Sequence, residues 1–402
     1  MRLFRFCLPA FAWLLTATCL SAQSLPAARS SALRSFYESG VHRNGIVGSS
    51  LFLLHDNQVV FHDYYGLQRL SPPQPVDETT TYHWASITKT FTGVAILQLR
   101  DRGLLSLDDP LIKYIPELAA VHDPYGPVSA ITIGQAMSHS SGFRDPTWPW
   151  RDAPWQPFEP TQWSQIVAML PYTSIAFPPG SRYSYSNLAV VFLGEIIQRV
   201  SGDPYEAYMI KNILEPLGMY HSYFDRSPYT LLRYRSHSFD LKNGKLTENP
   251  FNFNTGITRS NGGLNAPMSD MLKYLNFLLG DPAHQAEYDA ILKHSTLEEM
   301  WKPLLPIPPD SDFPPRAGAD DFVASSFFVH TDGTLHLVGK SGSQNGFLSN
   351  FYIDPVSRSA YIVAYNTDAQ DATQNTLHFD GQLLNYLIDN FFKDQAGTST
   401  KN

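Results

Sequence analysis

The feature that most limits the possible folds is an order: strand-like runs lie towards both ends of the chain, and helical periodicity fills the stretch between them. SSLFLLH and QVVFHDYY are β-prone runs joined at Asp56-Asn57, a dipeptide suited to the tight turn of a hairpin. FVASSFFVHTDGTLHLVGKSG reads as two strands around Asp332-Gly333, and FLSNFYIDPVSRSAYIVAYN as two more around Asp354-Pro355. Between these ends, TQWSQIVAML, NLAVVFLGEIIQRVSG, PYEAYMIKNIL and APMSDMLKYLNFLLG read as helices, with Gly and Pro as punctuation. LPAARSSALRSFYESGV and TLHFDGQLLNYLIDNFF supply one more helix at each end. The chain is therefore expected to leave a sheet, build a helical subdomain and return to the same sheet. The expected class is α+β: a central antiparallel sheet from both chain ends, flanked by helices, with a mostly helical subdomain. The sheet part is placed at about 27–103 and 321–396 and the helical part at about 104–320.

With 402 residues, 43% of them hydrophobic and 16% charged, the chain can bury one large core or two modest ones. Its first 22 residues have the layout of a cleavable secretory signal: Arg2 and Arg5, a short apolar stretch, then Ser21 and Ala22. Cleavage is expected after Ala22, leaving a periplasmic or secreted domain over 23–396 and a flexible tail at 397–402. Both cysteines, Cys7 and Cys19, fall in that signal, so the remainder has no thiol for a disulfide, nucleophile or metal. Losing Arg2 and Arg5 takes the formal charge from -8 to -10 (27 minus 37), and no basic run follows. Nucleic acid and anionic lipid surfaces are poor partners for such a chain, and no later segment is apolar for long enough to span a bilayer. Oligomeric state is not legible. RDPTWPWRDAPWQPFEPTQW (144–163) holds four tryptophans among prolines and reads as a rigid loop over a cleft.

Several chemistries are absent from the sequence. There is no H-x-H or H-E-x-x-H, so no zinc site is expected. There is no G-x-S-x-G elbow and no phosphate-cradling glycine loop, so no cofactor is expected. What remains is Ser86-Ile-Thr-Lys89, where a lysine follows a serine by three positions. At helical spacing the two side chains share one face. A serine hydroxyl needs a base, and a lysine can serve only where burial or positive potential disfavours its ammonium. From Ser86 to Arg102 the sequence is apolar on nearly every side, so a buried helix closed by Gly103 is expected. Its first turn also offers backbone N–H groups to a developing oxyanion. The plain alternative is that Ser86 only caps the helix and Lys89 faces solvent.

Two later motifs favour chemistry. Tyr185-Ser-Asn187 stands at the start of a helix, and Lys340-Ser-Gly342 ends a strand, in the order that β-lactamases and penicillin-binding proteins use. With HWASITKTFTG, MSHSSGF, FPPGSRYSYSN, GGLNAPMSDM and GKSGSQNGF around them, the chain resembles the class C β-lactamase and penicillin-binding-protein-like serine hydrolases over almost all of its length. That resemblance implies a β-lactamase/transpeptidase-like fold. It also implies an acyl-enzyme on Ser86, with Lys89 and Tyr185 moving its proton. Asn187 would hold the substrate amide or the Lys89 ammonium, and Lys340, Ser341 and Gly342 would bind substrate, a carboxylate in particular. The backbone N–H groups of Ser86 and Ser343 would receive the oxyanion. The lysine form of the third motif tilts the substrate towards β-lactams and D-amino-acid peptides. A carboxylesterase and a non-turnover penicillin-binding receptor are the alternatives. Ala85 departs from the glycine typical of class C enzymes at that position. Asn187 would also suit a helix N-cap, and His139, in the SHSSG turn, recurs in the family and reads as structural.

Overall fold

The computed structural model describes residues 24–145, 160–249, 256–309, 316 and 318–395; the signal, the tail and most of the tryptophan-rich segment lie outside them. After helix α1 (Ala27–Arg43) come strands β1 (Gly48–His55), β2 (Gln58–Leu70) and β3 (Pro73–Pro75). Asp56 and Asn57 both adopt positive φ (46° and 63°), the geometry that lets β1 and β2 close as a two-residue hairpin. The chain then runs through helices α2 (Thr88–Asp101), α3 (Asn187–Ser201) and α4 (Met268–Leu279). It returns as β4 (Leu305–Pro306), β5 (Ala319–Val323), β6 (Phe328–Asp332), β7 (Leu335–Gln344), β8 (Phe347–Asp354) and β9 (Ser359–Tyr365), and ends in α5 (Thr376–Leu387).

These strands form one sheet in the order β3-β2-β1-β9-β8-β7-β6-β5-β4. Its seam is the antiparallel β1–β9 pair, in register from Ser49↔Tyr365 to His55↔Ser359. Both faces are covered, so β1 reads as an unbroken apolar run rather than an alternating one. Leu51 and Leu53 meet Leu33, Tyr37, Phe379 and Leu383 beneath α1 and α5. Phe52 and Leu54 point the other way, into the core that holds Phe91, Val94, Tyr274 and Phe351. There the Phe91 and Tyr274 rings stack at 3.8 Å and join α2 to α4. α2 is buried on every side from Thr88 to Leu99. Gly103, with φ 73°, follows it in the left-handed conformation that a β-carbon disfavours.

Two details depart from the expected elements. The middle of the chain is not purely helical: Ser238–Lys242 and Lys245–Asn249 form a hairpin around Asn243-Gly244, both at positive φ, extended in parallel by Thr367–Ala369. An Asn-Gly turn between alternating residues is the signal for that hairpin. In addition, FVASSFFVH is two strands, broken where Ser326 turns left-handed (φ 66°). Among the described residues no helix is long and apolar enough to cross a membrane.

Beneath α5 the core contains a carboxylate. Asp380 is buried, accepts hydrogen bonds from the Asn350 amide (2.8 Å) and the Tyr365 hydroxyl (3.3 Å), and burial pushes its pKa from 3.8 up to about 6. Between about pH 4 and pH 6 the folded state therefore holds a proton that the unfolded chain has released. This contribution to stability is complete below about pH 4 and lost as pH rises through about 6. His83 runs the other way: burial lowers its pKa to about 4, so its contribution is present above the ordinary histidine range and lost as pH falls through about 4. Asp380→Asn isolates the first effect. Relative to the parent, it is expected to be more stable at pH 7 than at pH 4 by about 3 kcal/mol, read from urea unfolding at both values. An equal difference at both pH values would refute it.

Candidate active site

The short strand Thr81–His83 pairs with Leu264–Pro267 and delivers Trp84 into the core, where the indole N–H donates to the Ala266 carbonyl at 2.9 Å. Ala85 then turns through φ 47° into a single 3₁₀ turn, Ala85–Ile87, that leads into α2. Left-handed backbone costs a residue with a β-carbon roughly 1–2 kcal/mol. Ala85→Gly is therefore expected to raise the unfolding free energy by about 1 kcal/mol, checked by the urea midpoint. A lower midpoint would show that the buried methyl outweighs the strain.

That turn aims Ser86 into a partly open position, and Lys89 follows one turn later with only 1% of its surface exposed. The Lys89 ammonium donates to Ser86 Oγ at 2.9 Å and to the Asn261 carbonyl at 2.7 Å. The Tyr185 hydroxyl donates to the same Ser86 oxygen at 2.7 Å. Tyr185 arrives from the segment before α3, whose N-cap is Ser186: its hydroxyl accepts from the Ala189 N–H at 3.1 Å. Asn187 is thus the first residue of the helix and not its cap. Its amide donates to the Asp145 carboxylate at 3.0 Å, at the start of the tryptophan-rich segment.

Lys340, on β7, is also 1% exposed. Its Nζ lies 3.7 Å from the centre of the Phe328 ring and 4.9 Å from that of Tyr185, while Lys89 Nζ is likewise 4.9 Å from the Tyr185 ring. Two ammonium groups therefore flank one phenol ring. Beyond Gly339, β7 no longer pairs with β6, so the backbone of 340–344 has one edge turned away from the sheet. Gly342 fills that edge: a β-carbon there would sit 2.3 Å from the Trp84 carbonyl and 3.0 Å from the Ser86 nitrogen. Only glycine allows so close an approach. Ser343, next along, is exposed. Ser341 pairs with Asn350, whose amide reaches Asp380 on α5, so strand alternation puts Ser341 on the face of β7 opposite Lys340.

Sequence reasoning missed two participants. Asn261 contributes a main-chain carbonyl, which no residue pattern announces. His139 was legible as a motif, but its stacking on the Tyr185 ring (4.4 Å between centres) was not. Burial first, then the positive Lys340 and Lys89, hold the His139 imidazole well below the usual histidine range. Among the described residues no three His, Cys, Asp or Glu side chains converge as a metal site would require.

Comparison with known proteins bears on the family and the fold. The family model described as Beta-lactamase matches residues 33–382. Protein flp of Staphylococcus aureus (strain COL) is 26% identical over 351 residues, which are 87% of this chain and 65% of that protein; the chain thus spans less than two thirds of that relative. Among solved structures, the octameric penicillin-binding protein homologue from Pyrococcus abyssi superposes with a TM-score of 0.74 at 25% identity, over 89% of this chain and 77% of that one. A class C β-lactamase shares the fold with a TM-score of 0.69 at 19% identity, over 90% of this chain and 96% of the other.

Proposed function

The chain belongs to the Beta-lactamase family of serine hydrolases, and from that premise we propose an exported acyl-enzyme hydrolase whose substrates are β-lactams or D-amino-acid peptides bearing a carboxylate. The observation that carries the reading is the convergence of the Lys89 ammonium and the Tyr185 hydroxyl on Ser86 Oγ. For acylation one member of the pair stands a proton short, Lys89 as the amine or Tyr185 as the phenolate, and that group takes the Ser86 proton as Oγ bonds to the substrate carbonyl carbon. That proton then goes to the departing nitrogen, oxygen or thiol as the acyl bond breaks. Water then gives a proton to the Tyr185 phenolate and attacks the ester on Ser86; as the acid is released, that proton passes to Ser86 Oγ and restores the starting hydroxyl. The oxyanion lies between the N–H groups of Ser86 and Ser343, which the close approach of Gly342 to Ser86 brings near each other. Export rests on the layout of the first 22 residues.

The substrate class is supported by Lys340, the cation on the strand edge beside Ser86, and by likeness to a penicillin-binding protein homologue and a class C β-lactamase. A carboxylesterase is the second reading. In its favour, Lys340 is only 1% exposed and its Nζ lies 3.7 Å from the centre of the Phe328 ring, a more enclosed position than a carboxylate-binding cation requires. A receptor that acylates and stops would give one equivalent of product without turnover. Intact-mass trapping against a penicillin, a cephalosporin, a D-alanyl-D-alanine peptide and a p-nitrophenyl ester tests all three. The expected result is a transient adduct on Ser86 from a carboxylate-bearing compound, followed by turnover. An adduct from the ester alone would favour the esterase, and a lasting adduct the receptor. No Ser86 adduct from any of them would overturn the acyl-enzyme reading.

A further inference from the structure

Resting on the acyl-enzyme reading, we infer that His139 is the positioning residue for Tyr185, holding the phenol on Ser86 through three separate contacts with its segment. The N–H of Ser184, just before the tyrosine, donates to the His139 carbonyl at 2.8 Å. The N–H of Ser186, just after it, donates to His139 Nδ1 at 3.2 Å. The imidazole then stacks on the phenol ring between those two anchors, 4.4 Å between centres with 30° between planes. One residue thus fixes the tyrosine backbone on both sides and its ring from one face. A side chain that merely filled space would keep the main-chain bond from Ser184 and the ring contact, but not the bond from Ser186 to a ring nitrogen.

Three features show that the arrangement is over-determined. His139 adopts φ 51°, a left-handed conformation that a residue with a β-carbon holds only at a cost of roughly 1–2 kcal/mol. It is buried, and Tyr183 packs edge-on against its other side with centres 6.2 Å apart. The neighbouring Ser140 carbonyl accepts the Gly180 N–H at 2.7 Å, so the turn backs the whole segment that leads to Tyr185. A neutral ring suits the role. An imidazolium would carry a proton on Nδ1 and could not accept from Ser186, and burial beside Lys89 and Lys340 keeps that proton off.

The test is a double-mutant cycle in the full chain between His139→Asn and Tyr185→Phe, read as the single-turnover acylation rate with p-nitrophenyl acetate and normalised to folded enzyme by circular dichroism. Asparagine tolerates positive φ and keeps an acceptor, but has no ring. His139→Asn is expected to slow acylation by about 10- to 100-fold with little change in KM, the scale of a misplaced catalytic group. The double variant should be no slower than Tyr185→Phe alone. The loss in His139→Asn should fall on the acylation rate constant and not on KM, because the phenol is misplaced while the substrate pocket is kept. Should His139→Asn not fold, His139→Gly accepts the same φ freely, and added imidazole should restore part of its rate. Losses that multiply, or a loss that falls on KM with the acylation rate constant unchanged, overturn the inference. They would leave the acyl-enzyme reading intact, whereas full activity in Ser86→Ala would remove that reading itself.

Discussion

Replacing Ser86 by alanine is expected to lower kcat/KM by at least about 10⁴-fold on every substrate the protein turns over, with almost no change in stability. The oxygen removed is the one on which the Lys89 ammonium and the Tyr185 hydroxyl converge. The side chain is small and partly open to solvent, so its loss leaves only a slight void. Steady-state rates and intact-mass spectra of the variant check this together. An adduct that still forms on Ser86→Ala would place the nucleophile elsewhere.

Lys89→Met is the second large effect, expected to slow acylation by about 10²- to 10⁴-fold, the range of a general base in acyl transfer. Methionine matches the length and volume of the lysine stem in a pocket that leaves 1% of that residue exposed, so packing survives while the amine is lost. The Asn261 carbonyl loses its 2.7 Å donor, which adds a stability cost of about 1–3 kcal/mol if no water replaces it. Lys89→Arg is expected to fare no better, because a planar guanidinium does not fit a site built for a compact ammonium. Stopped-flow acylation measures both variants. A rate within about threefold of the parent would exclude Lys89 from the proton's path.

Much of the architecture was legible because its signals are local. Asp56-Asn57 announces a turn, the Ser86–Lys89 interval is a helical repeat, and β-prone runs broken at Asp332-Gly333 and Asp354-Pro355 mark the later strands. The hairpin at Asn243-Gly244 carried the same kind of signal and was overlooked inside a segment read as helical. What could not be read is set by distance through space. Asn261 acts through a carbonyl that any residue would possess. The role of Ser341 depends on its register against Asn350, and register is fixed by β8, not by the Lys-Ser-Gly triplet. Asn187 has the side chain of an N-cap, yet the helix begins one residue earlier because the Ser186 hydroxyl reaches the Ala189 N–H. Ala85 carries a backbone strain that no propensity scale assigns to alanine.

The β1–β9 seam has a consequence for how such a molecule is made. Ser49 cannot meet Tyr365 until the chain has been made as far as β9, and the strand bearing Lys340 completes its pairing with β8 only shortly before. A growing chain therefore holds its nucleophile long before it holds a cleft, and the first two strands wait with an open hydrogen-bonding edge. Any truncation upstream of the ninth strand should yield an inert, sticky fragment rather than a weakened enzyme, since the missing piece is the keystone of the sheet and not an appendage to it.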